Sequence, residues 1–176
     1  MYNKSRNYNF TENYYNEKTV NTVDELNDLD KNSVTKLTIG PGITEIPKEK
    51  FSGSTSLTSI DFSLAEALET IGDSAFKNCL GLKGNLDLSG AKSLTTIGDS
   101  AFYNCNFKGK LTLPNSITTI GDSAFYNCNE FTGNLTLPNS ITTIGTGAFQ
   151  YCIGFKGNLT LPNSITTIGD SAFYNC

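Results

Sequence analysis

The sequence contains no histidine and no tryptophan, and its one methionine is the first residue. Without histidine, the chain lacks the side chain on which most catalytic triads, many metal sites and switches near neutral pH depend. No apolar run approaches the roughly 18 residues that a transmembrane helix needs, so membrane insertion is not expected. The first 18 residues also lack an apolar core, so no secretory signal peptide is visible there.

Basic residues are scarce as well, with 13 Lys and Arg against 17 Asp and Glu, for a net charge of −4. Nucleic acids attract proteins through an excess of positive charge, so a nucleic-acid partner is not expected. The sequence shows no glycine-rich phosphate loop, no activated nucleophile and no pair of catalytic carboxylates. These absences predict a protein without catalytic residues, cofactor or metal.

What the chain does contain is an internal repeat. The segment LPNSITTIGDSAFYNC occurs at residues 113–128 and again, unchanged, at residues 161–176, and a close copy occupies residues 137–152. Weaker copies come before these, and one isoleucine marks the phase of all six, with spacings of 23 to 26 residues: Ile46, Ile71, Ile97, Ile120, Ile144 and Ile168. Regular repetition at this length predicts a solenoid, in which each unit stacks on its neighbours.

Within one unit, the pattern predicts the path of the chain. Residues 134–137 alternate polar and apolar, as a half-buried strand does, and residues 138–140 form a proline turn. Residues 141–144 form a second extended piece, and residues 146–149 look like one turn of 3₁₀ or α-helix. A single unit buries too little apolar surface to fold alone. Stacked units should align their Leu-x-Leu strands as a parallel sheet, with about 4.8 Å between repeats.

The pattern Leu-x-Leu-Pro-x-x-Ile-x-x-Ile-Gly-x-x-Ala-Phe-x-x-Cys resembles the BspA-like, Treponema-type leucine-rich repeat, from about Val34 to Cys176. The resemblance implies a curved, right-handed superhelix of about six repeats with a parallel concave sheet, short second strands and 3₁₀ or helical turns. It also implies a non-enzymatic surface protein that binds host matrix proteins or other cells. The first repeat departs from the pattern at Pro47, Lys48 and Ser54, as terminal repeats commonly do.

The resemblance divides the chain into residues 1–33 and a solenoid at 34–176. Residues 1–18 are rich in Asn and Tyr and are expected to be a disordered tail. Thr22 and Glu25 form the pattern of a capping box, which predicts a short helix through Leu26 and Leu29 that covers the first repeat. The last repeat lacks an atypical cap, so we expect an open apolar end, which either continues into more repeats or pairs with another copy or another chain.

Two polar ranks recur with the repeat. The cysteines fall one per repeat at one phase, which predicts reduced, buried, structural thiols, because metal sites need ligands close in sequence and disulfides need facing side chains. These residues are Cys79, Cys105, Cys128, Cys152 and Cys176. Aspartates begin the predicted helical turns at Asp73, Asp99, Asp122 and Asp170. They are predicted to be helix N-caps, with Ca²⁺ binding between repeats as the alternative.

Candidate partner-binding residues lie at outward positions of the Leu-x-Leu strands and at their rim: Thr38, Asp61, Asp87, Lys110, Thr112, Asn134, Thr136, Asn158 and Thr160. Two further features offer contacts. Repeats two and three each carry two extra residues, around Ser63–Ala67 and Ser89–Ser93, which predicts a protruding rim. The turn after the second strand carries tyrosines, which are common interface anchors.

The sequence leaves two functions open. One is a surface adhesion or host-interaction protein, at the cell surface or secreted, which the resemblance implies. The other is an intracellular structural or assembly scaffold, which fits the reduced cysteines and the lack of a visible signal peptide. Both assign the chain a protein partner, and end-to-end self-association through the last repeat is a further expectation.

Overall fold

A computed structural model describes residues 16–176, which form a parallel β-solenoid of about six turns. The one helix in this range is α1, Val23–Asp28. The strands are β1 Glu17–Val20, β2 Lys36–Ile39, β3 Glu45–Ile46, β4 Ser59–Asp61, β5 Thr70–Ile71, β6 Leu86–Asp87, β7 Thr96–Ile97, β8 Leu111–Thr112, β9 Thr119–Ile120, β10 Thr143–Ile144 and β11 Thr167–Ile168. The predicted leucine-rich repeat solenoid is confirmed.

The continuous sheet of the solenoid is the isoleucine sheet, with strand order β11-β10-β9-β7-β5-β3. Every pairing is parallel, and residues of the same phase lie opposite each other, as Ile120 lies opposite Ile144. The threonine before each of the later strands donates its hydroxyl to the preceding repeat, as Thr118 Oγ1 does to the Thr95 carbonyl at 3.1 Å. This bond accounts for the first threonine of the recurring Thr-Thr-Ile.

The Leu-x-Leu strands pair less completely than the sequence predicted. They form one sheet with the order β1-β2-β4 and a second with the order β6-β8. Between repeats five and six, pairing is reduced to a single parallel bridge between Gly133 and Phe155. The solenoid is therefore held together continuously on its isoleucine side and only in part on its Leu-x-Leu side.

An extra residue precedes the strand in repeats three to six. In repeat two, Ile60 follows the inward Leu57 by three positions, whereas in repeat five Leu135 follows Phe131 by four. In repeats three, five and six, the glycine in this segment takes a positive φ that other residues rarely adopt. These glycines are Gly84 (φ 78°), Gly133 (φ 78°) and Gly157 (φ 88°).

The core is built on a phenylalanine ladder, one ring per repeat, as the sequence predicted: Phe51, Phe76, Phe102, Phe125, Phe149 and Phe173. Neighbouring rings stack nearly parallel with centroids 5.2 to 5.5 Å apart. A second column, formed by Phe107, Phe131 and Phe155, meets the ladder edge-on. The first five rings of the ladder are buried, and Phe173 at the end is half-buried.

The turn that carries this ladder makes backbone hydrogen bonds in one direction only. Phe76 N–H donates to the Ala101 carbonyl of the next repeat at 2.8 Å, and the same bond recurs at all five junctions between repeats. In the isoleucine sheet the direction is reversed, since Gly98 N–H donates to the Ile71 carbonyl of the preceding repeat. At each junction the earlier repeat therefore donates through its phenylalanine turn and accepts through its isoleucine strand, and all five junctions have this same polarity.

The aspartate carboxylates bond to a different group from the one predicted. Asp73 Oδ1 accepts a hydrogen bond from the Asp99 N–H at 3.0 Å, and Asp99 Oδ1 accepts one from the Asp122 N–H at 2.8 Å. The carboxylates thus bond the next repeat, and the prediction of helix N-caps is wrong because the turn of each repeat is not α-helical. Within residues 16–176, no group of three or more His, Cys, Asp or Glu is arranged to hold a metal ion.

The cysteines are free thiols, and four of the five are buried. Each thiol donates to the carbonyl of the ladder phenylalanine in the preceding repeat, as Cys128 Sγ does to Phe102 O at 3.1 Å. Burial raises the pKa of Cys79 and of Cys128 to about 12, so neither forms the reactive thiolate near neutral pH. The predicted structural role is confirmed for these four, whereas Cys176 is exposed.

Thiol titration tests this arrangement. At pH 8 the folded protein should react with an aromatic disulfide reagent at one thiol, Cys176, and the four buried thiols should react only after denaturation. Replacing Cys176 with serine is the matched control and should remove the fast reaction. Rapid reaction of two or more thiols in the folded protein would contradict the burial of the cysteine rank.

The N-terminal end of the solenoid is closed. Glu25 Oε2 and Thr22 Oγ1 form the capping box of α1, and Leu26 packs into the core. Lys31 Nζ donates to the Ser52 carbonyl at 2.5 Å, on the side of the first repeat that faces away from the second. Strand β1 also pairs with β2, so ordered structure begins inside the segment expected to be a tail; residues 1–15 lie outside the described residues.

Candidate protein-binding surface

The nine candidate residues all lie on the Leu-x-Leu side, which we call the Leu face. Eight of the candidates are exposed and Thr38 is half-buried. Strand register places Thr38 beside Asp61, and Asp87 beside Thr112. The break between β4 and β6 separates these pairs, so the structure does not bring all nine residues into one continuous sheet.

Asp61 and Asp87 each hold the start of a rim loop through a hydrogen bond. Asp61 Oδ1 accepts a hydrogen bond from Ser63 N–H at 2.8 Å, and Asp87 Oδ1 accepts one from Ser89 N–H at 2.9 Å. Each carboxylate thereby fixes the start of the loop that follows its strand. A shallow cavity of about 240 Å³ lies between the two loops.

The other candidates line two adjacent grooves, which open where the Leu-x-Leu strands are unpaired. The larger, of about 560 Å³, is lined by Lys110, Thr112, Asn134 and Thr136, among others. The smaller, of about 260 Å³, is lined by Asn134, Thr136, Asn158 and Thr160, among others. Asn134 and Thr136 border both, so we call the pair the amide-hydroxyl grooves.

The side chains that line these grooves are mainly hydrogen-bonding groups. Within residues 16–176, no described hydrogen bond uses the side chains of Thr112, Thr136 or Thr160. The grooves therefore expose hydroxyl and amide groups and one lysine ammonium, with no nucleophile beside a base. Such groups are suited to bonding a protein surface or an extended backbone.

The two longer rim loops fold partly into the core. Ala65 and Ala91 are fully buried, which anchors the extra residues of repeats two and three. On the outside, Lys92 Nζ and Glu66 Oε1 form an ion pair between the loops, and this contact lowers the pKa of Glu66. Leu64 is 50% exposed at the tip. The two loops are therefore anchored in the core and joined by one ion pair at the surface, and the protruding rim stays a prediction.

A column of tyrosines lies on the phenylalanine turn. Tyr103 and Tyr126 stack with centroids 4.7 Å apart, and Tyr126 and Tyr151 meet edge-on at 5.4 Å. Lys77 Nζ lies 5.1 Å from the centroid of Tyr103. Tyr151 occupies the phase of Asn127 and adopts a positive φ of 62°, which is unusual for a tyrosine. The tyrosines therefore contact one another along the solenoid, by stacking in one pair and edge-on in the other two.

Sequence reasoning missed the polarity of the junctions and the grooves. The residue count gives no signal for the grooves, because the spacing of four from Phe131 to Leu135 also separates Phe107 from Leu111 in repeat four, where β8 pairs with β6. The polarity has no sequence signal either, since it arises from how neighbouring turns are placed. Among the described residues, no helix is long and apolar enough to cross a membrane.

Comparisons with known proteins agree with this geometry. The profile of the BspA type leucine rich repeat region matches in six copies, over residues 27–152 and 83–176. A Treponema pallidum leucine-rich repeat protein superposes with a TM-score of 0.67 at 29% identity, over 82% of this chain and 64% of that one. A Bacteroides ovatus leucine-rich repeat protein superposes with a TM-score of 0.64 at 26% identity, over 86% of this chain and 43% of that one.

The chain therefore spans less than two thirds of each of these two proteins. No curated protein matches the sequence. The family profile covers most of the chain, and its repeat carries the phenylalanine ladder, the cysteine rank and the isoleucine sheet described above. The chain belongs to the BspA-type leucine-rich repeat family.

Proposed function

We propose that this chain is a non-enzymatic protein-binding module that contacts its partner through the Leu face and the rim loops, in a surface adhesion or host-interaction role. Leucine-rich repeat proteins typically mediate protein–protein interaction, and the family is typically non-enzymatic. The adhesive role rests on the resemblance to surface proteins of this family. The site rests on the amide-hydroxyl grooves.

The grooves carry the proposal because they combine size with unused hydrogen-bonding groups. Thr136 and Asn134 stand between them, so one bound segment contacts both grooves together. Lys110 is the one lysine that lines these grooves, and its ammonium group favours a partner with a carboxylate at that point. The neighbouring rim loops add Leu64 as an apolar contact.

Replacing Thr136 with arginine should weaken binding to the partner at least about 10-fold, because a long charged side chain at the border of the two grooves would obstruct both. The matched control is Thr146→Arg, an exposed threonine of the same repeat on another side of the solenoid. Both variants should keep the stability of the original protein within about 0.5 kcal/mol, since surface changes rarely cost more. Binding is measured by surface plasmon resonance against immobilised fibronectin, laminin and collagen.

Two results would contradict the proposal. Equal loss of binding in both variants would remove the grooves as the site. If the original protein binds no matrix protein and no host cell, and if labelling of intact source cells does not reach it, the adhesive role fails. The intracellular scaffold would then be the better interpretation.

A further inference from the structure

On the Leu face, the junction between repeats three and four shows the full set of bonds between two Leu-x-Leu strands. Strands β6 and β8 pair in parallel, and Leu88 N–H donates to the Thr112 carbonyl at 2.9 Å. Residues along a parallel strand bond alternately to the neighbour on one side and to the neighbour on the other. The backbone groups of Thr112 meet repeat three, so those of Leu111 and Leu113 point toward repeat five.

At the next junction, between repeats four and five, the corresponding bonds are not made. The repeat phase sets Leu111 N–H against the Asn134 carbonyl, and Leu113 N–H against the Thr136 carbonyl. Within residues 16–176, none of these four groups takes part in a described hydrogen bond. Yet Leu111 and Leu113 are only 5% and 9% exposed. Backbone groups at this depth are nearly always paired in folded proteins, so the two strands offer bonds that the protein itself leaves unused.

The wall that repeat five contributes to the larger groove is unpaired along its whole length. No bond described in the range 16–176 uses a backbone N–H or carbonyl of residues 134–137. Donors and acceptors alternate along a strand, with about 3.3 Å from one residue to the next. A small anion would use the donors and leave the carbonyls unbonded, whereas an extended polypeptide carries both groups in the same alternation.

The neighbouring contacts decide where such a polypeptide lies. Phe107 and Phe131 stack with centroids 5.7 Å apart, and Ile120 lies opposite Ile144 in the isoleucine sheet. Repeats four and five are therefore held about one strand spacing apart, which leaves no width for a full strand between them. The bound chain must rest along the mouth of the larger groove, whose volume is about 560 Å³, and reach the wall groups from the solvent side.

Side chains at the mouth of the groove add a charge preference. Lys110 lines the larger groove, and no ion pair described within residues 16–176 involves it. Thr112 and Thr136 border the same groove and are exposed. Where a peptide binds along a strand, main-chain bonds supply affinity and side-chain contacts supply selectivity. Here the ammonium group of Lys110 selects for a carboxylate on the bound chain.

We propose that the larger amide-hydroxyl groove binds an extended segment of the partner protein through its main chain, with an aspartate or glutamate of that segment against Lys110. The inference rests on the proposed function, since it names the chemistry of the partner at the same site. It adds a requirement that side chains alone do not impose. The bound segment must keep its own N–H groups, which excludes proline at the contacting positions.

The first test follows hydrogen exchange of single amides by NMR in the full, unbound chain. The amides of Leu111 and Leu113 should exchange at least about 10-fold faster than those of Leu86 and Leu88, because the latter hold the same phase in repeat three and are bonded. Equal protection of the two pairs would show that the strands of repeats four and five bond each other in solution, which would overturn the proposal.

The second test selects ligands from a library of random dodecapeptides displayed on phage, with the full chain as bait and its Thr136→Arg variant for counter-selection. Enriched peptides should share one acidic position with no proline beside it. The strongest peptide is then synthesised with each amide N-methylated in turn. Methylation beside the acidic residue should weaken binding at least about 10-fold, because it removes a hydrogen bond and leaves every side chain unchanged. Methylation at the two ends is the control.

The charge preference is tested with the Lys110→Gln variant. The original protein should prefer the acidic peptide over its amide analogue, Asp to Asn or Glu to Gln, at least about 5-fold, and Lys110→Gln should lose that preference. A preference that survives in Lys110→Gln would overturn the assignment of Lys110. Failure to enrich any peptide, or equal affinity for every N-methylated peptide, would overturn the main-chain contact.

The proposed function fails on different results. If matrix-protein binding is lost in Thr136→Arg and kept in Thr146→Arg, but Leu111 and Leu113 exchange equally fast with and without that protein, the groove is the site and the main-chain contact is wrong. If both variants lose binding equally, the groove is not the site, whatever the amides of the unbound chain show.

Discussion

Replacing Phe125 with alanine is expected to lower the free energy of unfolding by about 3–5 kcal/mol. Its ring is fully buried and lies between the rings of Phe102 and Phe149, at 5.4 and 5.2 Å, with the edge of Phe131 at 6.2 Å. Removing it leaves a cavity that two stacked neighbours border and cannot fill, because each is held by its own repeat. A urea titration measures the loss from the midpoint and slope.

The matched control is Phe173→Ala at the end of the same ladder. Phe173 is half-buried and stacks on one neighbour, Phe149, at 5.5 Å. Its loss should cost less than half as much as the loss of Phe125, because solvent already reaches one side of the ring. A cost below about 1 kcal/mol for Phe125→Ala would show that the ladder does not hold the repeats together.

Replacing Gly121 with alanine should cost about 2–3 kcal/mol, although its φ is not positive. A Cβ placed there would lie 2.5 Å from Asp99 Oδ1 and 2.8 Å from Asp99 N, both in the preceding repeat. Backbone cannot move away without breaking the bond from Gly121 N–H to the Ile97 carbonyl at 2.8 Å. The loss is measured by the same urea titration.

Pro47→Ala is the control for this prediction. Pro47 holds the glycine phase of the first of the six repeats, and within residues 16–176 no repeat precedes it, so alanine there should change stability by less than about 0.5 kcal/mol. Equal costs for the two variants would mean that the glycine phase is set by something other than the approach of the preceding repeat.

The phase of the repeat and the core could be predicted from the sequence because both follow from side chains that recur at one spacing. Phe125 and Cys128 are apolar at every comparable position, with Ser54 as the one polar exception. Any stacked arrangement of such units brings like residues together. The capping box at Thr22 and Glu25 was equally predictable, since it depends on four consecutive residues alone.

The aspartate bonds could not be predicted in the same way. An aspartate at Asp99 can accept from its own turn or from the next repeat, and the two choices differ only in the axial offset of neighbouring turns. Threonine at position 146 is compatible with the second choice, because its backbone N–H donates a hydrogen bond to Asp122 Oδ1 of the preceding repeat at 2.7 Å. The axial offset between neighbouring turns cannot be read from the sequence of a single protein.

The candidate binding residues could be predicted only in part. Their outward direction follows from the alternation of the Leu-x-Leu strands, and the structure has them exposed or half-buried. Their grouping depends on the loss of strand pairing after β8, where the grooves open and a single bridge between Gly133 and Phe155 remains. The number of residues before the strand does not predict this loss, because repeat four has the same number and its strand β8 is paired.

The identical polarity of the five junctions has a consequence for how such genes change. A duplication or deletion of one whole repeat rebuilds the same bonds at the new junction and leaves α1 and the last repeat as they were. The repeats differ in length at the loops after the Leu-x-Leu strands and after the cysteine, since one residue separates Cys105 from Phe107 and two separate Cys128 from Phe131. Each repeat gained or lost would change the length of the solenoid by about 5 Å.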